Sequence, residues 1–202
     1  LTGYQSGTLY VSSLPVEKNV INGVQTKIKR VDSAFSYIQG EHTLITTQSA
    51  TDMTNLPDKS IDYIFVDPPF GGNIMYSELN FLAEAWNKVV TNIKDEAITN
   101  RYHKKSLSKY QDLMEESFSE FYRVLKPGRW ITVEFHNTKN SVWNSIQEAL
   151  LRSGFIVADV RTFDKKQGTF NQVSATGSVK SDLIITAYKL KDEFNNVFRE
   201  IA

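Results

Sequence analysis

Residues 61–70, with the sequence IDYIFVDPPF, constrain the fold of this chain more than any other segment. Residues 63–66 form a short apolar run, typical of a strand that is covered on both faces of a sheet. Asp67 follows, and then two prolines, which fix φ at about −65° and lack N–H groups, so the chain leaves the sheet extended with its carbonyl oxygens available as acceptors. Because open α/β sheets bind ligands beyond the carboxyl ends of their strands, this segment predicts a small polar pocket.

The residues at this strand end suit one kind of ligand. Asp67 and the main-chain oxygen of Pro68 are hydrogen-bond acceptors, and Phe70 offers a flat apolar ring beside them. The exocyclic amino group of a planar base would donate to such acceptors while the base stacks on the ring. The alternative is a strand that ends in prolines with an aspartate cap and has no binding role. The tetrapeptide without its strand would not exclude this alternative.

Composition places the chain among ordinary globular proteins and narrows its class. It has 202 residues, enough for one core, with 23 basic and 23 acidic side chains, so its overall charge does not mark a nucleic-acid binder. The absence of cysteine excludes disulfides and zinc–cysteine sites, and we expect a cytoplasmic protein with no metal site. No apolar run is long enough for a membrane span. The chain begins with Leu1 instead of Met, which suggests a fragment.

The Asp-Pro-Pro-Phe motif at residues 67–70 resembles the Asp/Asn-Pro-Pro-Tyr/Phe motif of the amino-methyltransferases that use S-adenosylmethionine. The resemblance implies catalytic roles for Asp67, Pro68, Pro69 and Phe70. In that family the Asp67 carboxylate and the Pro68 carbonyl would accept hydrogen bonds from the amino group of the base, and Phe70 would stack on it. The base must first be flipped out of the duplex, and the aromatic stack offsets part of that cost.

A second similarity to these methyltransferases precedes the motif. Their third strand is followed by an acid, Leu-Pro, and then Asp-x-Ser-Phe/Ile-Asp. The matching residues here are Asp52, Leu56, Pro57, Asp58, Ser60 and Asp62. In the family the first acid lies near the adenine amino group of S-adenosylmethionine, which makes Asp52 the candidate cofactor contact. A turn hydrogen bond made by Asp52 is the open alternative.

The order of predicted elements also fits that family. Hydrophobic periodicity and turn residues predict helices at residues 24–38, 77–90, 110–125 and 141–152, the last closed by Gly154. Further strands are expected at residues 8–11, 43–47, 130–135, 155–163 and 183–190. The run Arg-Val-Leu-Lys-Pro-Gly at residues 123–128 resembles the methyltransferase link between the fourth helix and the fifth strand. The resemblance implies a Rossmann-like class I methyltransferase sheet with helices on both faces and an antiparallel last strand.

One part of the family's sheet, the N-terminal side with the cofactor loop, has no match in this sequence. The glycine-rich cofactor loop should follow a strand and open a helix, whereas the glycines Gly3 and Gly7 precede a strand. We therefore divide the chain into a lead-in at residues 1–23, a catalytic part at 24–190 and a tail at 191–202. An upstream part of the same protein would carry the cofactor loop, so the isolated chain is expected to bind cofactor weakly or not at all and could lack activity.

Other polar residues are candidates for the pocket or for DNA. Arg101, Lys104 and Lys105 are close together in a polar stretch and could contact phosphates, although a solvated basic loop is the alternative. Tyr76, Glu78 and Asn80, near the start of the helix at residues 77–90, are the polar residues expected to face the pocket. Glu134, His136 and Asn137 lie at or just past the carboxyl end of the strand at 130–135, which is the correct edge for a site. A lone histidine there is more often a surface residue, so His136 ranks below Asp67 as a catalytic group.

These observations lead to one main hypothesis and two alternatives. The chain is expected to transfer a methyl group from S-adenosylmethionine to a DNA base amino group, adenine N6 ahead of cytosine N4, as in restriction–modification systems. Methylation of an RNA base is the first alternative, because related RNA enzymes use the same tetrapeptide type. The second is a non-catalytic methyltransferase-like module that binds nucleic acid or a partner.

Overall fold

The computed structural model of the chain describes residues 19–37, 43–46, 48–72, 74–136, 140–164 and 181–191. The contacts divide the chain into two compact units, Leu1–Thr47 and Gln48–Ala202. The sequence predicts that the catalytic part begins at residue 24. This boundary is defined by function, and it stays a prediction. The strand predicted at residues 8–11 lies outside the described residues.

Among its described residues, the first unit contains the helix α1 (Val20–Phe35). It begins four residues before the predicted start, because the Asn19 side chain accepts a hydrogen bond from the Asn22 N–H at 3.1 Å and caps it. Its apolar residues recur at helical spacing, as the sequence indicates, and their side chains are exposed. The strand predicted at residues 43–47 is wrong for its four described residues, which are irregular.

The second unit is built on a four-stranded mixed sheet. Its strands are β1 (Ile61–Val66), β2 (Leu125–Phe135), β3 (Ile156–Asp164) and β4 (Ser181–Tyr188), in the order β1-β2-β4-β3. β1 runs parallel to β2, and β4 runs antiparallel to both of its neighbours. The predicted antiparallel last strand is therefore confirmed. Because β4 lies between β2 and β3, the last strand among the described residues is placed inside the sheet.

Three helices accompany the sheet: α2 (Tyr76–Asn87), α3 (Leu107–Val124) and α4 (Asn140–Arg152), with a short 3-10 helix at Ile93–Asp95. The buried stripes of α3 and α4 pack together with every second residue of the central strands. The fully buried side chains of this core include Tyr110, Phe118, Ile131, Val133, Phe135, Ile146, Leu150 and Ile185. The α/β fold expected from the sequence is confirmed.

The opposite face of the sheet differs from the prediction. Tyr63 and Phe65 on β1 are 54% and 58% exposed, so the expectation of a strand covered on both faces is wrong in the described part of the chain. Helix α2, predicted to pack on the sheet, buries none of its residues, and its Trp86 is 88% exposed. The physical reason is that α3 and α4 both direct their apolar stripes at the same face.

The end of α4 follows the sequence prediction. Gly154 has φ of +94°, and its N–H donates to the Leu151 carbonyl at 3.0 Å while the next N–H reaches Leu150. A Cβ at this position would lie 3.2 Å from the ring of Tyr122. Only glycine meets both the left-handed backbone and the close contact, which is why the helix closes here.

Candidate active site

The Asp-Pro-Pro-Phe motif lies at the carboxyl end of β1. Asp67 is exposed, Pro68 is buried, and Phe70 is half-buried. Because β2 is parallel to β1, its carboxyl end lies at the same edge of the sheet, where Phe135 is followed by His136. The fold thus brings the two strand ends predicted to carry polar residues to one edge.

The ring of Phe70 is held by two rings from the end of β2. It meets Phe135 edge to face, with centroids 5.7 Å apart and planes at 79°. It meets His136 in the same manner, at 6.0 Å and 67°. Such edge-to-face contacts are favourable beyond the burial of area. Phe135 is fully buried, so these contacts anchor the Phe70 ring to the core at the rim of the site.

His136 is paired with a buried carboxylate. Its Nδ1 lies 2.7 Å from Oδ1 of Asp182 on β4, whose side chain is 2% exposed. This short distance brings an imidazole and a buried carboxylate together beside the Phe70 ring. Sequence reasoning ranked His136 below Asp67 and gave Asp182 no role. Only the insertion of β4 beside β2 brings these two residues together, so no local sequence signal could reveal the pair.

The main chain of the motif accepts a hydrogen bond from a buried tyrosine hydroxyl. Tyr110, buried on α3, donates from Oη to the carbonyl oxygen of Pro69 at 2.7 Å. Burial raises the pKa of Tyr110, so its hydroxyl stays protonated and can donate. Tyr76, the first residue of α2, is half-buried. The sequence predicts that Tyr110 lies at the start of the helix at residues 110–125 and gives it no role at the site.

The pKa of Tyr76 is raised by its surroundings. Burial raises the pKa of Tyr76, the Phe70 hydrogen bond opposes that rise, and the charges of Asp67 and Glu96 add to it. Such charge effects act over short distances in a protein. Tyr76 thus offers a half-buried hydroxyl on which the charge of Asp67 acts.

The backbone after Phe70 is fastened to a neighbouring segment. Gly71 has φ of +66°, and its carbonyl oxygen accepts from the Thr99 N–H at 3.2 Å. At Gly72 a Cβ would lie 2.8 Å from Oγ1 of Thr99, so a larger residue would force the two segments apart. Nearby, Glu96 accepts hydrogen bonds from the Ser77 N–H and hydroxyl at 2.9 and 2.7 Å. The two glycines serve close packing here.

The three basic residues predicted to contact DNA differ in their exposure and in their hydrogen bonds. Arg101 and Lys104 are exposed, whereas the ammonium of Lys105 donates to the carbonyl oxygens of Lys94 and, at 3.0 Å, Glu96. Two of the three ammonium hydrogens of Lys105 are thus used within the protein. Arg101 and Lys105 line a depression that also includes the start of α4.

Asp52, the candidate cofactor contact, lies in the loop that precedes β1. Its side chain is exposed, and its Oδ1 accepts a hydrogen bond from the Thr54 N–H at 3.2 Å. This is the turn hydrogen bond that the sequence left as an alternative. One such bond occupies one lone pair of the carboxylate and leaves acceptor capacity for a ligand.

Arg123 on α3 holds this loop in place. Its guanidinium donates to the carbonyl oxygens of Leu56 and Met53 at 3.0 and 2.8 Å, and to the carboxylate of Asp58 at 2.5 Å. It also forms a two-point contact with Glu120, and this lowers the pKa of that carboxyl. The Arg-Val-Leu-Lys-Pro-Gly run thus fixes the Asp52 loop through its first residue, a function that the sequence alone does not reveal.

The described part of the chain shows neither a metal cluster nor a membrane span. No group of three histidine, aspartate or glutamate side chains among those residues could hold a metal ion. No helix among them is long and apolar enough to cross a membrane.

Comparisons with known proteins place the chain in a family. The family described as DNA methylase, N6_N4_Mtase, matches residues 61–201. No curated protein matches the sequence. Among solved structures, the chain is similar to TTHA0409 of Thermus thermophilus, assigned as a DNA modification methylase and crystallised with S-adenosyl-L-methionine. The identity is 13%, 70% of this chain and 53% of that chain are covered, and the TM-score is 0.43.

The chain is also similar to PvuII DNA methyltransferase, described as cytosine-N4-specific. The identity is 12%, with 68% of this chain and 45% of that chain covered, at a TM-score of 0.45. The chain thus spans about half the length of the solved structures it matches. The family match covers the Asp-Pro-Pro-Phe motif and all four strands of the sheet, and it confirms the family inferred from the sequence. This chain belongs to the DNA methylase family N6_N4_Mtase.

Proposed function

We propose that this chain is the catalytic part of a DNA amino-methyltransferase that uses S-adenosylmethionine, with adenine N6 as the preferred target ahead of cytosine N4. One observation carries the proposal. Asp67 stands exposed at the carboxyl end of β1, directly before Pro68 and next to an aromatic ring anchored by Phe135 and His136. This set of two acceptors and a ring matches the amino group and the face of a planar base.

In the proposed mechanism the chain binds and orients a flipped base. The Asp67 carboxylate and the Pro68 carbonyl accept the two amino hydrogens, which directs the nitrogen lone pair out of the hydrogen-bonded plane. Phe70 stacks on the base and keeps it in place. Proximity and orientation supply much of the rate, and no strong base is required before the transfer. Asp67 and Pro68 would hold the amino nitrogen towards the methyl group that the sulfonium of S-adenosylmethionine would supply, and the proton lost from the nitrogen would pass to water.

The proposed cofactor site uses the loop before β1. When bound, S-adenosylmethionine supplies an electrophilic methyl group on a sulfonium. The residues present fit part of this group, because Asp52 has an exposed carboxylate with remaining acceptor capacity for an adenine amino group. We propose that a glycine-rich loop in an upstream part of the same protein supplies the rest, with residues 24–190 as the catalytic part.

The proposed DNA contacts lie in the turn before α3. Arg101 and Lys104 are exposed and would contact phosphates without regard to sequence. Lys105 would support them indirectly, because its ammonium holds the carbonyls of Lys94 and Glu96 and so shapes the turn. A role within a restriction–modification system, in the cytoplasm, is part of the same proposal.

The experiment that tests the proposal is a methylation assay on the complete gene product. Labelled S-adenosylmethionine would be supplied with DNA or RNA, and the nucleosides analysed by mass spectrometry. We expect N6-methyladenine in DNA. N4-methylcytosine would correct the base, and a product found only in RNA would replace the substrate class. A folded protein that binds cofactor but methylates neither would contradict the enzymatic proposal and favour a binding module.

Cofactor binding gives a second test, through Asp52. We expect Asp52→Ala to weaken S-adenosylmethionine binding roughly tenfold, the equivalent of one charge-assisted hydrogen bond. Isothermal titration calorimetry would measure the affinity. Asp112→Ala, which removes an exposed carboxylate from α3, is the matched control and should bind like the unmodified protein. Equal affinities for both variants would mean that Asp52 makes its turn hydrogen bond and does not contact the cofactor.

A further inference from the structure

The turn at residues 100–105 carries the most exposed of the large apolar and aromatic side chains in the described part of the chain. The ring of Tyr102 is 97% exposed, so it takes no part in the core. Single apolar side chains on a surface are common and by themselves indicate no function. Tyr102 differs from such residues because its turn is closed by hydrogen bonds, is basic, and is fastened to the candidate active site.

The turn is held by hydrogen bonds at its base and within its loop. The Asn100 N–H donates to the Lys105 carbonyl oxygen at 3.0 Å, and the Lys105 N–H donates to the Asn100 carbonyl oxygen at 2.8 Å. The Asn100 side chain accepts from the Tyr102 N–H at 2.8 Å. The Lys104 N–H donates to the Arg101 carbonyl oxygen at 3.2 Å. The backbone that carries the ring of Tyr102 is therefore fixed on both sides.

The same turn is joined to the backbone that follows the Asp-Pro-Pro-Phe motif. Thr99, the residue before the turn, donates from its N–H to the carbonyl oxygen of Gly71 at 3.2 Å, and Gly71 directly follows Phe70. The Asn100 amide lies 2.9 Å from the sulfur of Met75, which precedes α2. The turn thus projects from a segment that is attached to the catalytic end of β1.

A buried residue and a polar contact add to this support. Ile98, which forms a parallel bridge with Gly71, is fully buried. Within the turn, His103 Nε2 lies 3.3 Å from the carboxylate of Glu78 on α2. These contacts hold the turn from below and from one side, and they leave the ring of Tyr102 outside the protein.

The charges beside the ring indicate what it meets. Arg101 precedes Tyr102, Lys104 lies two residues after it, and both cations are exposed. Cationic side chains bind nucleic-acid phosphates, and aromatic rings stack on bases. Proteins that deform DNA also insert side chains between its base pairs. Since the chain belongs to a DNA methylase family, duplex DNA is the partner that fits this turn.

The proposed reaction creates a gap that such a ring can fill. A base that leaves the duplex takes its stacking with it, and this cost opposes flipping. An aromatic ring that enters the gap restores part of the stacking with the neighbouring bases. Because Thr99 ties the turn to Gly71, the turn and the motif approach the DNA together.

Resting on the proposed function, we propose that Tyr102 is a wedge that enters the base stack when the target base moves to Phe70. Arg101 and Lys104 hold the phosphates on either side of the opened step. The wedge stabilises the flipped state of the DNA and takes no part in the transfer of the methyl group.

The test compares Tyr102→Ala with Tyr102→Phe in the complete gene product. Alanine removes the ring, whereas phenylalanine keeps it and loses only the hydroxyl, which makes it the matched control. Both variants should stay folded, because the ring is exposed, and circular dichroism would verify this. Each is assayed on the duplex that the methylation assay identifies, and on the same duplex with an abasic site opposite the target base.

We expect Tyr102→Ala to lower kcat/KM roughly tenfold on the paired duplex, the loss of one base–aromatic stack. On the duplex with the abasic site the loss should stay within about twofold, because an unpaired base leaves the stack more easily. Tyr102→Phe should resemble the unmodified protein on both. An unchanged rate in Tyr102→Ala, an equal fall on both duplexes, or a fall shared by Tyr102→Phe would overturn the wedge.

A binding measurement separates the wedge from the proposed activity. Fluorescence anisotropy would compare a short fluorescein-labelled duplex with the same duplex carrying a central abasic site, which offers the ring a gap without any flipping. We expect the unmodified protein and Tyr102→Phe to bind the abasic duplex at least about fivefold more tightly, and Tyr102→Ala to bind both duplexes equally.

If the unmodified protein transfers no methyl group, the proposed function fails, and a preference for the abasic duplex that depends on the ring still supports the wedge. Equal binding of the two duplexes by the unmodified protein would overturn the wedge whatever the enzyme does. Tighter binding of single-stranded RNA than of either duplex would also overturn it, because the ring would then serve another nucleic acid.

Discussion

Replacement of Asp67 by alanine is expected to lower the rate of methyl transfer by roughly 10²- to 10³-fold, the usual loss when one preorganised polar group is removed from a reacting atom. The variant should stay folded, because Asp67 is exposed at the end of β1 and lies outside the core. The measurement is single-turnover methylation of DNA with labelled S-adenosylmethionine, with circular dichroism to verify folding.

The same strand offers a matched control. Asp62 is an exposed carboxylate five residues earlier on β1, paired with Lys126 at 2.7 Å and Arg129 at 3.3 Å. Asp62→Ala should therefore leave the methylation rate within about twofold of the unmodified protein, as for other surface substitutions. A similar rate for Asp67→Ala would show that the carboxylate does not act in the transfer.

Replacement of Lys189 by methionine is expected to reduce the free energy of unfolding by about 2–3 kcal/mol. The ammonium is buried and donates to the carbonyl oxygens of Tyr122 and Leu125 at 2.6 and 2.8 Å. These carbonyls lie at the C-terminal end of α3, where a positive charge is also favourable. Methionine fills a similar volume but leaves both oxygens buried without this donor.

Urea unfolding would measure this loss, with Lys191→Met as the control. Lys191 is two residues away and exposed, so its replacement should change the free energy of unfolding by less than about 0.5 kcal/mol. Equal losses in both variants would mean that the hydrogen bonds of Lys189 contribute nothing specific. The ring of Tyr122, 4.4 Å from the ammonium, adds a cation–π contact that methionine also lacks.

The helices of the second unit were predictable because their signals are local. The apolar stripe of α3 recurs at helical spacing, and α4 ends at a glycine with the left-handed backbone expected of a helix terminus. Which faces of β1 are covered by helices was not predictable from the apolar run of the strand. That run is compatible with burial on both faces, but which face receives a helix depends on how α3 and α4 pack.

The candidate site likewise has parts that the sequence determines and parts that depend on the tertiary structure. By itself the sequence determined the Asp-Pro-Pro-Phe motif at a strand end, since strand propensity and proline geometry act between neighbours in the chain. Only the tertiary structure decided that Tyr110 holds the Pro69 carbonyl across 41 residues, and that Asp182 from the last strand pairs with His136. Such contacts depend on strand order and helix packing, which arise from burial of the whole core and leave no periodic mark in the sequence.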